Sequence, residues 1–244
     1  MICEGKVALV TGAAGNGLGR SIALTLAREG AKVVINYRES GAAALQICEH
    51  INSTGGTAVP IQADVFTHSG CRYLVDQTKT SLGTIDIVII GPGGGWNPQP
   101  IDQIDPDKAQ QNIEQETAPF LYLLPLLLPD MYKNNWGRII GLGTHPTKLS
   151  PAYTYNIGKA ARMQAILLAQ DQAWKHGVTM NVITPGPVNS IETMENAIEQ
   201  SQHGAAWNER DNISPQDIAE GVAFLCSEAG RFIGGCALPY LFNY

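Results

Sequence analysis

The chain has 244 residues, enough for one large α/β domain and short for two full ones. Its 44% hydrophobic and 16% charged content is that of a globular protein, and its net charge of −6 argues against nucleic acid or an anionic membrane as main partner. The five cysteines (Cys3, Cys48, Cys71, Cys226, Cys236) show no CxxC spacing, which excludes a zinc or disulfide framework and fits free thiols in a reducing cytoplasm.

No signal peptide is expected, because Met1–Gly5 is too short and polar. No segment is expected to span a membrane, because the apolar run Phe120–Leu128 is short and broken by Pro125. Lys6–Val10 is an apolar run that ends in a glycine-rich turn, so it reads as a buried parallel strand. The spacing of Ile22, Leu24, Leu26 and Ala27 predicts a helix over Arg20–Glu29, stopped by Gly30. Lys32–Asn36 is a second strand, Gly41–Asn52 a helix, Ala58–Gln62 a third strand and Gly70–Ser81 a third helix. Ile85–Ile90 is a fourth strand. A long helix follows over Lys108–Tyr132, with a kink expected near Pro119 or Pro125. Arg138–Leu142 is a fifth strand, Tyr155–Lys175 a helix and Thr179–Thr184 a sixth strand. Ile191–Trp207 has a polar helical pattern, Pro215–Ser227 is a last helix and Cys236–Tyr240 a last strand. Alternating strands and helices predict one α/β domain, a doubly wound parallel sheet of the Rossmann type.

Two motifs carry chemistry. The turn Thr11–Gly19 (TGAAGNGLG) joins the first strand to the first helix. A helix N-terminus offers unpaired N–H groups and partial positive charge, and glycines let a pyrophosphate approach them. Tyr155-Asn156-Ile157-Gly158-Lys159 places a phenol and an ammonium four residues apart, on one helix face. A phenol with a pKa near ~10 is a poor acid or base at neutral pH. A neighbouring ammonium is expected to lower that value, so that Tyr155 can exchange a proton with a substrate oxygen. Tyr153 has no lysine four residues on and is the weaker candidate.

Together, the glycine turn, the YxxxK motif and Pro185-Gly186-Pro187-Val188 resemble the short-chain dehydrogenase/reductase family over essentially the whole chain. The resemblance implies an oxidoreductase that moves a hydride between a nicotinamide and a carbonyl or alcohol carbon of a small organic substrate. It assigns the dinucleotide to Gly12, Asn16, Gly17, Leu18 and Gly19. Asp64-Val65 would lie beside the adenine, although Asp64 also suits a helix N-cap. Gly91 would line the cofactor, Pro185, Gly186 and Val188 the nicotinamide, and Ser190 the phosphate. Lys159 would also reach the nicotinamide ribose. No carboxylate stands at Tyr37, and Arg38 suits a 2′-phosphate, so NADP(H) is expected over NAD(H); a solvated Arg38 paired with Glu39 is the bland alternative. Thr144 falls where the family places a serine that orients the substrate oxygen. His145, beside Pro146, is either a substrate contact or a plain loop residue. Gln115 aligns with the family's helix-four asparagine, with Asn112 one turn away.

The chain departs from the family in several places. Ile90-Gly91-Pro92-Gly93 replaces NNAG, the glycine turn is one residue longer, and the segment from Thr144 to Tyr155 is two residues shorter. A tail Pro239–Tyr244, apolar and aromatic, replaces the usual ending and is expected at a subunit interface or near the site. A lid is expected over about residues 189–212, where Met194, Ala197, Ile198 and Trp207 form either an apolar pocket wall or an ordinary helix face. A homo-oligomer, a dimer or tetramer, is implied by the resemblance. The departures keep open a second reading, a member with lost or altered redox activity serving as a cofactor-binding regulator, a scaffold or a non-redox enzyme.

Overall fold

A computed structural model describes residues 1–145, 152–207 and 210–241. Pro146, residues 208–209 of the expected lid and Phe242–Tyr244 of the tail lie outside them. Seven strands, β1 (Val7–Val10), β2 (Lys32–Tyr37), β3 (Thr57–Gln62), β4 (Ile87–Ile90), β5 (Gly137–Leu142), β6 (Val178–Pro185) and β7 (Ala237–Tyr240), form one sheet in the order β3-β2-β1-β4-β5-β6-β7. Every pairing is parallel. Helices α1 (Leu18–Arg28), α2 (Gly41–Ser53), α3 (His68–Leu82), α4 (Pro106–Asn134), α5 (Tyr153–Ala173), α6 (Met194–His203) and α7 (Pro215–Cys226) cover its two faces. This is the doubly wound α/β sheet that the alternation of elements predicts.

The central strands β1, β4 and β5 are buried along their whole length, which is why β1 and β4 read as unbroken apolar runs rather than alternating ones; β5 also buries Arg138. Pro60 in β3 and Pro239 in β7 sit on the two edge strands, where a missing N–H does least harm to the ladder. One core lies between the sheet and α1, α2 and α7, the other between the sheet and α3, α4 and α5. Chain order reverses between β1 and β4, so a crevice opens above their carboxyl ends.

Two helices differ from the sequence expectation. α4 starts earlier, capped by Asp105, whose carboxylate accepts from Asp107 N at 3.0 Å, and it runs as one helix through Pro119, Pro125 and Pro129. α6 is shorter, bounded by the N-cap Thr193 and by Gly204 at φ +77°. α6 packs on α1, and Met194 and Ala197 join the core there. The α6 face is therefore an ordinary packing face rather than a pocket wall. Among the described residues no helix is long and apolar enough to cross a membrane.

Candidate active site

The glycine turn is held by its neighbours rather than by itself. Thr11 Oγ1 donates to Ile89 O at 2.9 Å and accepts from Gly91 N at 3.0 Å, tying β1 to the end of β4. The buried amide of Asn36 accepts from Gly12 N at 3.2 Å and donates to Ala63 O at 3.1 Å. Gly12 has φ +63°, a left-handed value that favours glycine. A Cβ on Gly19 would lie 2.6 Å from Gly12 O, so only glycine lets α1 sit this close to the turn. Gly17 caps α1 without a side-chain hydrogen bond, and nothing lies within 4 Å of a Cβ built on Gly15 or Gly17. The start of α1 thus faces open space, the geometry an anionic pyrophosphate needs. Asn16 is exposed at the lip, its carbonyl accepting from Ile191 N at 3.1 Å.

At the end of β2, a depression of about 200 Å³ is lined by Gly12, Ala14, Gly15, Tyr37, Arg38, Glu39 and Ser40. Arg38 is exposed there, its Nε 3.1 Å from Glu39 Oε1 and its guanidinium over the Phe66 ring at 5.6 Å. Asp64 Oδ1 accepts from Phe66 N at 2.9 Å. It does not cap α3, a role taken by Thr67, which accepts from Gly70 N at 3.0 Å. Val65 is buried beside it.

A cavity of about 570 Å³ occupies the crevice, a volume typical of a small-molecule site. It brings together Gly12, Leu18 and Gly19 of the turn, Gly91, Thr144, Tyr155 and Lys159, and Pro185, Gly186 and Val188 after β6. Ser190 is exposed and outside it, as are Gln115, His145 and the exposed Tyr153. Trp96, in the loop after β4, also lines it and meets the Tyr155 ring edge-on at 5.2 Å. A slightly larger cavity of about 640 Å³ lies at the opposite, amino end of the sheet, beside Lys32 and Thr57. It contains none of the candidate site residues, so the crevice is the better site.

The charges in the crevice are arranged differently from the sequence expectation. Glu116 is 1% exposed, and its carboxylate lies 3.2 Å from Lys159 Nζ and 2.8 Å from Arg162 Nη2. Arg162 is 0% exposed and donates to Gly91 O at 2.8 Å, to Leu142 O at 2.9 Å, to Glu116 O at 3.1 Å and to Pro92 O. Its guanidinium thus braces the ends of β4 and β5, where the sequence lacks the usual side-chain amides. Gln115, one residue earlier, is turned away from this cluster, and Asn112 abuts Gly94 instead of Lys159. Lys159 Nζ stands 5.2 Å from the Tyr155 ring centre, and the Thr144 hydroxyl hydrogen-bonds to the Tyr155 phenol.

These contacts correct one expectation. Burial, and then the negative charge of Glu116, push the Tyr155 phenol above its ordinary value, while Arg162 and the Thr144 hydroxyl pull the other way. Lys159 is not among the groups that lower it. Lys159 itself is pushed down to about 8, first by burial and then by Arg162, with Glu116 opposing both.

The sequence profile of the short chain dehydrogenase family matches residues 6–202. A 7alpha-hydroxysteroid dehydrogenase of Escherichia coli is 30% identical over 239 residues, covering 95% of this chain and 91% of the relative. Versicolorin reductase of Emericella nidulans is 32% identical over 251 residues, covering 95% and 92%. A solved structure of a 7 alpha-hydroxysteroid dehydrogenase complexed with NADH and 7-oxo glycochenodeoxycholic acid superposes with a TM-score of 0.84 at 26% identity, covering 98% and 93%. A blue fluorescent protein from a metagenomic library, solved with NADPH, shares the fold at a TM-score of 0.82 and 24% identity.

Proposed function

Because the chain belongs to the short-chain dehydrogenase family, we propose that it is an NADP(H)-dependent oxidoreductase in which Tyr155 exchanges the proton with the substrate oxygen. At the coarser level it is an oxidoreductase acting on CH–OH or C=O groups. The observation that carries the finer reading is the convergence of Thr144, Tyr155 and Lys159 on a cavity continuous with the glycine turn.

The residues fit a dinucleotide. The open space over Gly15 and Gly17 and the uncapped start of α1 suit a pyrophosphate, and the depression beside Arg38 suits a 2′-phosphate. Pro185, Gly186 and Val188 would hold a nicotinamide, which would supply or accept the hydride. Tyr155 gives a proton to the carbonyl oxygen in reduction, or takes one from the alcohol in oxidation. Thr144 holds the same oxygen and the phenol in line. Lys159 binds the nicotinamide ribose. Gly12, Asn16, Gly17, Leu18 and Gly19 hold the pyrophosphate, with Asp64 and Val65 at the adenine, Gly91 at the ring and Ser190 near the phosphate; Gln115, outside the cavity, carries no step.

Several relatives are named for fused-ring compounds, among them hydroxysteroids and hydroxynaphthalenes. Trp96 gives this cavity an aromatic wall suited to such a ring. Fused-ring ketones therefore lead the test panel. Reduced-nicotinamide absorbance with those ketones, in wild type and Tyr155→Phe, tests the reading: turnover lost by about a hundredfold or more in the variant is expected, and undiminished turnover refutes it. The raised Tyr155 pKa favours one second reading, a dinucleotide-binding protein without redox turnover. Tight cofactor binding with no oxidation or reduction across the panel would establish that instead. Five free cysteines suit a cytoplasmic setting, and exposed Leu121 on α4 and Leu168 on α5 suit a homo-oligomer.

A further inference from the structure

The crevice contains a buried carboxylate that the proposed proton transfer does not use. Glu116 is seated in space that two glycines leave open. A Cβ on Gly93 would lie 2.3 Å from its carboxylate oxygen, and one on Gly158 would lie 2.7 Å from its Cγ. Gly94 contributes its N–H, which donates to Oε1 at 3.0 Å. The other carboxylate oxygen faces two cations, Lys159 Nζ at 3.2 Å and Arg162 Nη2 at 2.8 Å. Removing a carboxylate from water is costly unless it is paired and hydrogen-bonded; here one oxygen accepts a hydrogen bond and the other is offset by two cations.

We propose that Glu116 is the positioning residue of this site: it holds Lys159 in place as an ammonium, while Arg162 neutralises the carboxylate and anchors the cluster to the strand ends. The proposal rests on the reading of Tyr155 and Lys159 as the reactive pair. Each part has a geometric reason. Lys159 is nine-tenths buried, and burial alone would favour the neutral amine. Glu116 is the anion that opposes this. A lone Glu116–Lys159 pair would leave no net positive charge near the phenol. With Arg162 present the cluster is net positive, and the cation that favours the Tyr155 phenolate is Arg162. The groups facing Tyr155 are Lys159 and Arg162 from α5, Glu116 from α4 and the Thr144 hydroxyl after β5.

Two titrations in the intact, cofactor-free protein test this without requiring turnover. The Lys159 ammonium is followed by carbon-13 NMR of lysine-labelled protein, its signal assigned by loss in Lys159→Ala. The Tyr155 phenol is followed by ultraviolet difference spectroscopy, assigned by loss in Tyr155→Phe. In Glu116→Gln, both midpoints are expected to fall by about one pH unit or more, because the anion that raises both is gone. A merely structural Glu116 would leave them in place, and either midpoint unchanged overturns the proposal. Should the glutamine variant not fold, Glu116→Asp keeps a charge for Arg162 but withdraws it from Lys159. Both midpoints then fall by a smaller amount, and wild-type values overturn the proposal. Full turnover in Tyr155→Phe would instead remove the catalytic reading and leave these titrations standing.

Discussion

Gly158 and Glu116 meet across the α4–α5 contact so closely that a methyl group at 158 would lie 2.7 Å from Glu116 Cγ and 3.2 Å from its Cβ. Replacing a helical glycine by alanine ordinarily stabilises a helix by roughly 1 kcal/mol. Here Gly158→Ala is expected to do the reverse, costing about 1–3 kcal/mol through overpacking. Calorimetry should show Tm lowered by several degrees, with turnover falling as Lys159 is displaced. A raised Tm would mean that the two helices separate without cost.

Arg162 tests how the strand ends are held. Arg162→Met removes the brace on Gly91, Pro92 and Leu142 and leaves the Glu116 charge with Lys159 alone. Breaking a buried pair by removing one partner costs about 3–5 kcal/mol. Urea unfolding should register a loss of that order. The double variant Glu116→Gln/Arg162→Met should recover part of it, because the one buried cation that remains, Lys159, can shed its proton. Additive losses would argue against the pairing.

Arg38 decides between the two dinucleotides. It is exposed beside an empty depression, so its removal should leave the fold unchanged. Loss of charge-assisted hydrogen bonds of about 1.5–3 kcal/mol corresponds to roughly ten- to hundredfold weaker binding. Arg38→Ala should weaken NADPH by that factor and leave NADH unaltered in fluorescence titrations. Equal weakening of both would remove the 2′-phosphate role.

Lys159 gives a dependence on pH with a definite sign. Its folded pKa of about 8 lies below the value near ~10.4 of an unfolded lysine. Between these limits the unfolded chain holds the extra proton, so stability contributed by this site rises as pH climbs from about 8 to about 10. The penalty relieved is on the order of 3 kcal/mol. In Lys159→Met the rise should vanish. The difference in unfolding free energy between the two proteins, measured across that range, isolates it from the other titrating groups. A difference independent of pH would mean that Lys159 remains charged throughout.

The sheet was legible in the sequence because β1 and β4 are buried on both faces and so appear as continuous apolar runs bounded by glycine or turn residues. The cluster around Glu116 was not, because alignment on a single motif places Gln115 where the asparagine is usual. A one-residue difference on a helix is a rotation of about 100°. The signal was nonetheless present. Tracing the buried stripe of α4 back from Met131 through Leu127, Leu123 and Phe120 leads to Glu116. The corresponding stripe of α5, from Ala173 through Gln170 and Ile166, leads to Arg162 and Lys159. Two opposite charges on facing inner stripes point to a buried pair, a pattern that hydrophobic periodicity alone passes over. Trp96 gave no such signal, since its place over Tyr155 depends on the path of a loop.

The glycine cradle also constrains ancestry. Glu116 cannot be introduced before Gly93 and Gly158 have cleared its space, and it cannot stand without Arg162. Nor can Arg162 arrive first, since a guanidinium sealed between two strand ends would lack a counter-ion. Glu116 therefore presupposes the other three positions, and a lineage carrying Glu116 should carry both glycines and the arginine.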